Sequence, residues 1–353
     1  MFRINIDGSE FRYFQSYDLS LKFNSIADTF SFTGLKRVLP GYLGYNDCEI
    51  FNEYQTKDSV TGKTINKTES IIKGTILNQS NKISTKAELS TVSGYSKCGI
   101  IEDVTIPVSS YPLQNDNLTL KEICDKLLKP FGIEYIVDSI ISSEFNKKFR
   151  KSSADPSQSI KDYINSLASQ RGIVLTHNRD GKLLFTKVNI SKLKPVVRFV
   201  QGGFGVMEMS IDLNGQSLHS EITVIKQASS DNPDAGEKTI KNPYCKKFRP
   251  TTKVLNSGDI FDMYNAARMA LSDELATIKL SIFTTKLVYP GNLVTVNAPG
   301  LGINDDVDFF VEETSVKGST SGELFTLTCV LKDIYTLNAV QNIFDRFEGP
   351  KFI

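Results

Sequence analysis

Tryptophan is absent from this 353-residue chain, and histidine occurs only at positions 177 and 219. Two histidines leave almost no material for histidine-based acid–base catalysis or a multi-histidine metal site. His177 precedes a hairpin turn in an alternating segment and His219 lies on a strand edge, so surface or cross-strand positions are expected for both. Without tryptophan, a sugar-binding platform would have to be built from tyrosine. The five cysteines (48, 98, 124, 245 and 329) are scattered, odd in number and contain no C-x-x-C pair. That argues against a disulfide framework or zinc site and for a reducing compartment. An excess of one charge is also missing: 41 Lys and Arg face 40 Asp and Glu, a net +1. So even a total speaks against a general binder of nucleic acid or membrane surfaces. No basic-then-apolar leader opens the chain, and no apolar run approaches bilayer length, so a soluble protein made in a cytoplasm, without stable membrane association, is expected. Walker-type, G-x-S-x-G and H-E-x-x-H motifs are all lacking.

What is present is strand-rich sequence on both sides of a helical middle. At this length the chain should divide into roughly two to four domains. Residues 1–106 alternate in short runs. Phe2 to Ile6 meets Asp7-Gly8, a hairpin turn signal, and further strands follow at 18–23, 29–33, 47–54, 71–77 and 87–93. The polar stretches 57–70 and 80–86 are expected as loops. Many short strands with turns between them predict a small barrel or sandwich.

Residues 107–190 hold two capped amphipathic helices, each ending in Gly-Ile and running into a strand. In the first, Leu120, Ile123, Leu127, Leu128 and Phe131 share a face, Thr119 with Glu122 makes a capping box, and Gly132 ends the helix. In the second, Asp155 is the expected cap, Pro156 sits in the first turn and Gln158 completes the box. Ile160, Tyr163, Ile164, Leu167 and Ala168 face inward, and Gly172 is the stop. Stripes of this width are core faces lying on a sheet, so the unit is a compact α+β domain. Between the helices, Lys147-Lys-Phe-Arg-Lys151 is expected to be a mobile loop.

Residues 191–353 return to strands at 198–201, 206–212 and 220–226, then a surface excursion at 229–241, a third helix over 261–278 and four more strands. Tyr289-Pro-Gly-Asn292 is a turn with Pro at its second and Gly at its third position. The last two strands, 308–317 and 323–332, form a long hairpin. The predicted fold class is α+β, predominantly β: two barrel-like domains, 1–106 and 191–353, with the α+β domain 107–190 inserted between them.

Candidate chemistry is sparse. Gly202-Gly-Phe-Gly205 has strands on both sides instead of the strand-then-helix setting of a phosphate cradle, and reads as a tight turn. Asp305, Asp306 and Asp308 lack the glycine and terminal glutamate of a calcium loop and read as a solvated turn. Lys147 to Arg150 and Lys246 to Arg249 share the string Lys-Lys-Phe-Arg, read as two solvated loops, with contact to nucleic acid or an acidic protein face as the functional alternative. Asp273 and Glu274 are adjacent on a helix and point apart. No residue is singled out as catalytic, cofactor-binding or metal-ligating, and no cofactor is expected.

Three stretches together resemble a known family. Ser93-Gly-Tyr-Ser-Lys-Cys-Gly-Ile-Ile-Glu-Asp103 followed by Asn117-Leu-Thr-Leu-Lys-Glu-Ile123 and Pro130-Phe-Gly-Ile133 is similar to a pattern of Mu-type phage baseplate hub proteins, related to the hub of T-even phages and to VgrG N-terminal regions. Ala168-Ser-Gln-Arg-Gly172 and Asp180-Gly-Lys-Leu183 resemble the family's next block, and 289–296 with 308–315 its closing strands. The third helix is less basic than the family's. The resemblance implies a non-enzymatic virion component: a homotrimeric ring with pseudo-sixfold symmetry that adapts a hexameric tail tube to a threefold spike. The implied partners are its own copies, a tail tube or tube-initiator protein, a central spike and baseplate wedge proteins, with DNA passing transiently through the lumen. The alternatives are the hub of a contractile injection or type VI-like system, a tail-associated cell-wall hydrolase, and a carbohydrate- or receptor-binding β protein.

Overall fold

The computed structural model describes residues 2–36, 43–57, 63–85, 87–226, 236–255, 262–336 and 342–346. The first region holds seven strands: β1 (Phe2–Ile6), β2 (Ser9–Phe11), β3 (Ser16–Lys22), β4 (Thr29–Leu35), β5 (Asp47–Lys57), β6 (Thr64–Ile83) and β7 (Glu88–Ser96). Asp7 and Gly8 both take positive φ, 47° and 85°, as a two-residue hairpin loop requires. Much of the expected 57–70 loop is instead paired strand, and Ser80 to Ile83 continues β6; residues 58–62 and 86 lie outside the described residues. These arms are polar on both faces, so backbone pairing holds them without the alternation that marks a half-buried strand. Where β6 crosses β7, a Cβ on Gly94 would lie 2.0 Å from the Thr75 carbonyl oxygen and 2.9 Å from the Phe30 ring. Gly94→Ala is therefore expected to cost about 1–3 kcal/mol through overpacking. A urea midpoint equal to the wild type's would contradict that.

The middle region carries α1 (Ile100–Asp103), α2 (Leu120–Leu128), β8 (Tyr135–Val137), α3 (Ser142–Phe145), α4 (Ile160–Gln170), β9 (Val174–His177) and β10 (Leu183–Thr186). β10 is central, parallel to β8 and antiparallel to β9. Thr119 Oγ1 accepts from the Glu122 amide at 3.1 Å while the Glu122 carboxylate accepts from the Thr119 amide at 2.7 Å. Losing this cap in Thr119→Ala should lower stability by about 1 kcal/mol in a denaturant titration. α4 starts one turn later than expected. Its cap is Ser159, whose Oγ accepts from the Asp162 amide at 3.1 Å, because Asp155 spends its carboxylate on the Ser157 amide and closes a preceding turn. Gly132 and Gly172 both end their helices with left-handed φ, 62° and 65°. The basic stretch 147–151 is anchored: Phe149 is fully buried, its N–H donates to Leu118 O at 2.8 Å, and its carbonyl accepts from Asn117 N at 2.7 Å.

The last region comprises β11 (Pro195–Val200), β12 (Val206–Leu213), β13 (Glu221–Lys226), β14 (Gly236–Lys241), β15 (Pro250–Val254), α5 (Asp262–Leu275), β16 (Ile278–Thr284), β17 (Leu293–Ala298), β18 (Ile303–Ser319) and β19 (Gly322–Leu331). The expected excursion is strand β14 from Gly236; residues 229–235 lie outside the described residues. β13, β14 and β15 form a separate small sheet that packs its Ile222–Val224 face on α5, itself shorter than expected because β16 begins at Ile278. Asp305 and Asp306 lie in β18 and not in a turn; the turn is at 299–302.

The predominantly β, α+β class is as expected, but the described strands do not close into barrels. One 13-stranded sheet runs open-ended from β12 to β2 and joins the two β regions. The join is β18. Along one edge it pairs β19; along the other, residues 303–310 pair β17 and residues 313–319 pair β3. The hand-over falls at Val311 and Glu312, where Gly291 N donates to Val311 O at 2.9 Å and Phe23 N donates to Glu312 O at 2.8 Å. A bulge against β19 lies at the same place. The cores follow this division: one cluster lies under β1 to β7 and reaches Val316, a second lies around β16 to β19, and a third fills the middle region.

Candidate functional site

A densely built polar site lies where the hairpin joining β9 to β10 meets the long sheet. Asn178-Arg179-Asp180-Gly181 turns tightly, with Gly181 at φ 74°. A Cβ there would press within 3.2 Å of Lys73 O and of the Lys97 side chain, so glycine allows the tip to seat against β6. The buried Cys98 thiol donates to Gly181 O at 3.1 Å, and Lys73 Nζ reaches Asp180 at 2.9 Å. The Ser-Lys-Cys end of one sequence motif and the Asp-Gly start of another are thus two faces of one joint.

Beside it, His177 takes the cross-strand position, paired with Leu183 of β10, and its side chain is buried instead of lying on the surface. Its Nε2 lies 3.0 Å from Asp28 Oδ2 and its Nδ1 lies 2.9 Å from the Ser25 carbonyl oxygen. Both neighbours are acceptors, so both hydrogen bonds form only when the ring is the doubly protonated imidazolium. Burial opposes that charge, yet the hydrogen bond and charge of Asp28, with the Ser25 carbonyl, outweigh it and raise the His177 pKa. Asp28 is held in turn by the Lys22 amide at 2.8 Å. Arg179 stacks 4.0 Å over the Tyr289 ring and pairs with Glu69, which also accepts from the Tyr289 hydroxyl at 3.1 Å. Asn52 donates to that hydroxyl at 3.3 Å. A cavity of about 270 Å³ lies between these groups, lined by Phe23, Asp28, His177, Arg179 and Tyr289 among others. One joint therefore draws groups from all three regions.

Its chemistry is that of a fastening. An imidazolium with both nitrogens donating has no lone pair for a proton or a metal. Burial pushes the Cys98 thiol up to about 12, far from a nucleophilic thiolate. Among the described residues no group of three or more His, Cys, Asp or Glu is placed to hold a metal ion. His219 donates from its amide to Glu274 at 2.9 Å and its Nδ1 lies 2.8 Å from the same carboxylate. Gly202 and Gly205 take φ of 71° and 80° in a turn between β11 and β12, with Phe204 standing out at 94% exposure. Asp306 forms a two-pronged pair with Arg198, both contacts 2.9 Å, and Asp308 lies 3.8 Å from Lys332, so these acids are matched by cations. The joint itself was missed in the sequence. Only the Asn-Arg-Asp-Gly turn was legible, as a turn.

An open sheet spanning two β regions, with a helix–strand unit set across it, is a fold that this chain shares with solved tail proteins. Residues 103–187 match the second domain of the gp44-like baseplate hub proteins. The whole chain superposes on a tail protein from Neisseria meningitidis MC58 with a TM-score of 0.76 at 21% identity, covering 96% of this chain and 98% of that one. For the 43 kDa tail protein of prophage MuSo2 from Shewanella oneidensis the values are 0.74 and 17%, over 94% and 98% of the two chains. The Escherichia coli c3393 protein, a type VI secretion component described as similar to the T4 tail proteins gp27 and gp5, gives 0.54 at 9%, over 97% and 80%. No curated protein matches the sequence. Among the described residues no helix is long and apolar enough to cross a membrane.

Proposed function

We propose that the chain is the structural hub of a contractile-tail baseplate, a homotrimeric ring in the virion that adapts the hexameric tail tube to the trimeric spike. The observation that carries this is the gp44-like match at 103–187 inside a fold shared end to end with tail proteins. In this reading the three units are 1–106, 107–190 and 191–353, assembled in a host cytoplasm, and no residue carries a reaction. The physical design suits load-bearing. Both β regions hang on one strand, and the polar joint fixes the middle unit to both, so force on one passes to the others. Among the described strands of the long sheet, β2, β11 and β12 each have a single neighbour, and such edges call for cover by other chains. Neighbouring copies, the tube or its initiator, the spike and the wedge proteins would supply it, over interfaces of a size that obligate assemblies need. A lumen that passes DNA should be acidic or neutral where the polyanion slides.

Light scattering on the purified chain at micromolar concentration is expected to give the mass of three copies. A monomer that stays monomeric with tube and spike partners present would count against the hub. A second reading, the hub of a type VI-like or other contractile injection system, draws on the c3393 likeness. Capsid and terminase genes beside the coding sequence would favour the phage; their absence beside secretion genes would favour the injection system.

A further inference from the structure

The near-zero net charge conceals a basic loop between β14 and β15. Residues 236–254, which are β14, β15 and the segment between them, contain Lys238, Lys241, Lys246, Lys247, Arg249 and Lys253 against a single acid, Glu237. All five lysines are exposed, and Phe248 stands 76% exposed between Lys247 and Arg249. The segment is held rigidly. Arg249 donates its guanidinium to Gly215 O at 2.6 Å and Gln216 O at 3.2 Å and its amide to Ser220 Oγ at 2.8 Å, while Asn242 N donates to Ser220 O at 2.9 Å. The other Lys-Lys-Phe-Arg string has the opposite fate: Phe149 is buried under Arg171, whose guanidinium lies 3.4 Å from the ring centre. Only the second copy displays its aromatic. Lys238 and Lys253 stand level with Val224 on the side turned to α5, so the cations grouped with Phe248 are Lys241, Lys246, Lys247 and Arg249, while the other face of the small sheet carries Thr223, Thr239 and Thr252 with Glu221, Glu237 and Lys241. The nearby acids are Glu221 opposite Lys241, Glu237 on the threonine face, Asp273 beside Lys253, and Glu274, which is engaged by His219.

We propose that this basic, aromatic-tipped surface binds nucleic acid without sequence preference. Lys241, Lys246 and Lys247 would meet phosphates, and Phe248 would stack on an unpaired base. Lysine-rich surfaces are depleted from protein–protein interfaces, whereas lysines interleaved with an exposed aromatic are what a charged backbone bearing stackable bases requires. A preordered segment also gives up little entropy on binding. The inference stands on the surface alone and does not rest on the hub reading, so a chain that forms no ring still binds.

The test is fluorescence anisotropy of the full chain with a labelled single strand of about twenty nucleotides and its duplex, at about 50 to 200 mM salt. Affinity is expected to fall with salt. Lys246→Ala with Lys247→Ala should lessen the log–log salt slope by about 2. Phe248→Ala should weaken the single strand about fivefold or more and leave the slope unchanged. A control pair on the middle region, Lys121→Ala with Lys129→Ala, should change nothing. No salt-dependent binding at the lowest salt would overturn the proposal, as would binding that all variants retain. So would capture of polyglutamate or of anionic-lipid vesicles without capture of either oligonucleotide, which would make the surface a protein or membrane contact.

Discussion

Phe310→Ala is expected to loosen both β regions together and to cost about 3–5 kcal/mol, the range for emptying a buried phenylalanine site. Phe310 is fully buried on β18 just before the strand changes partner, with ring centres 4.9 Å from Phe23 and 5.2 Å from Tyr335. Phe23 follows β3, which belongs to the first region, and Tyr335 follows β19, which belongs to the last. The cavity therefore opens where both cores meet. Two residues on, Glu312 is buried and accepts from the Tyr335 hydroxyl, with Lys279 at 3.5 Å, so the hand-over has a polar anchor beside its apolar one. Hydrogen exchange should quicken in β3 and β4 and in β17 to β19 alike. Faster exchange confined to one side would show that β18 does not couple the regions.

His177→Ala is expected to be the second costly change, and its cost should depend on pH. Removing one partner of a buried ion pair leaves the other charge uncompensated and typically costs about 3–5 kcal/mol. Because the folded His177 pKa is raised, its contribution is fully present below the unfolded value of about 6.5 and is lost as pH rises through the folded value. Denaturant titrations of wild type and variant should thus differ most below about pH 6.5 and converge above it. A gap that stays constant across that range would mean that the ring packs without its charge.

Much of the fold was legible because its signals are local. The capping box at Thr119, the left-handed glycines 132 and 172 and the Asp7-Gly8 hairpin each depend on residues within one turn of one another. What escaped depends on distance. Residues 303–319 show the same alternation whichever strand lies beside them, so nothing in β18 announced that its two halves pair different regions. Two barrels were therefore expected where one open sheet exists. Nothing local to His177 points to Asp28, which comes from another region, so the burial of that side chain was not legible. The two Lys-Lys-Phe-Arg strings are identical and fold oppositely, because Leu118 and Arg171 wait beside one and open solvent beside the other. Net charge is silent in the same way, since a sum cannot show that six cations fall within the stretch 236–254.

The central claim is that this chain builds a ring at the end of a tail. Electron-microscopy class averages of the purified protein mixed with its tube and spike partners test it most directly. The account predicts rings with threefold symmetry and a pseudo-sixfold outline, one face capped by the tube and the other by the spike. Fields of isolated monomers, with tube and spike unbound, would contradict it.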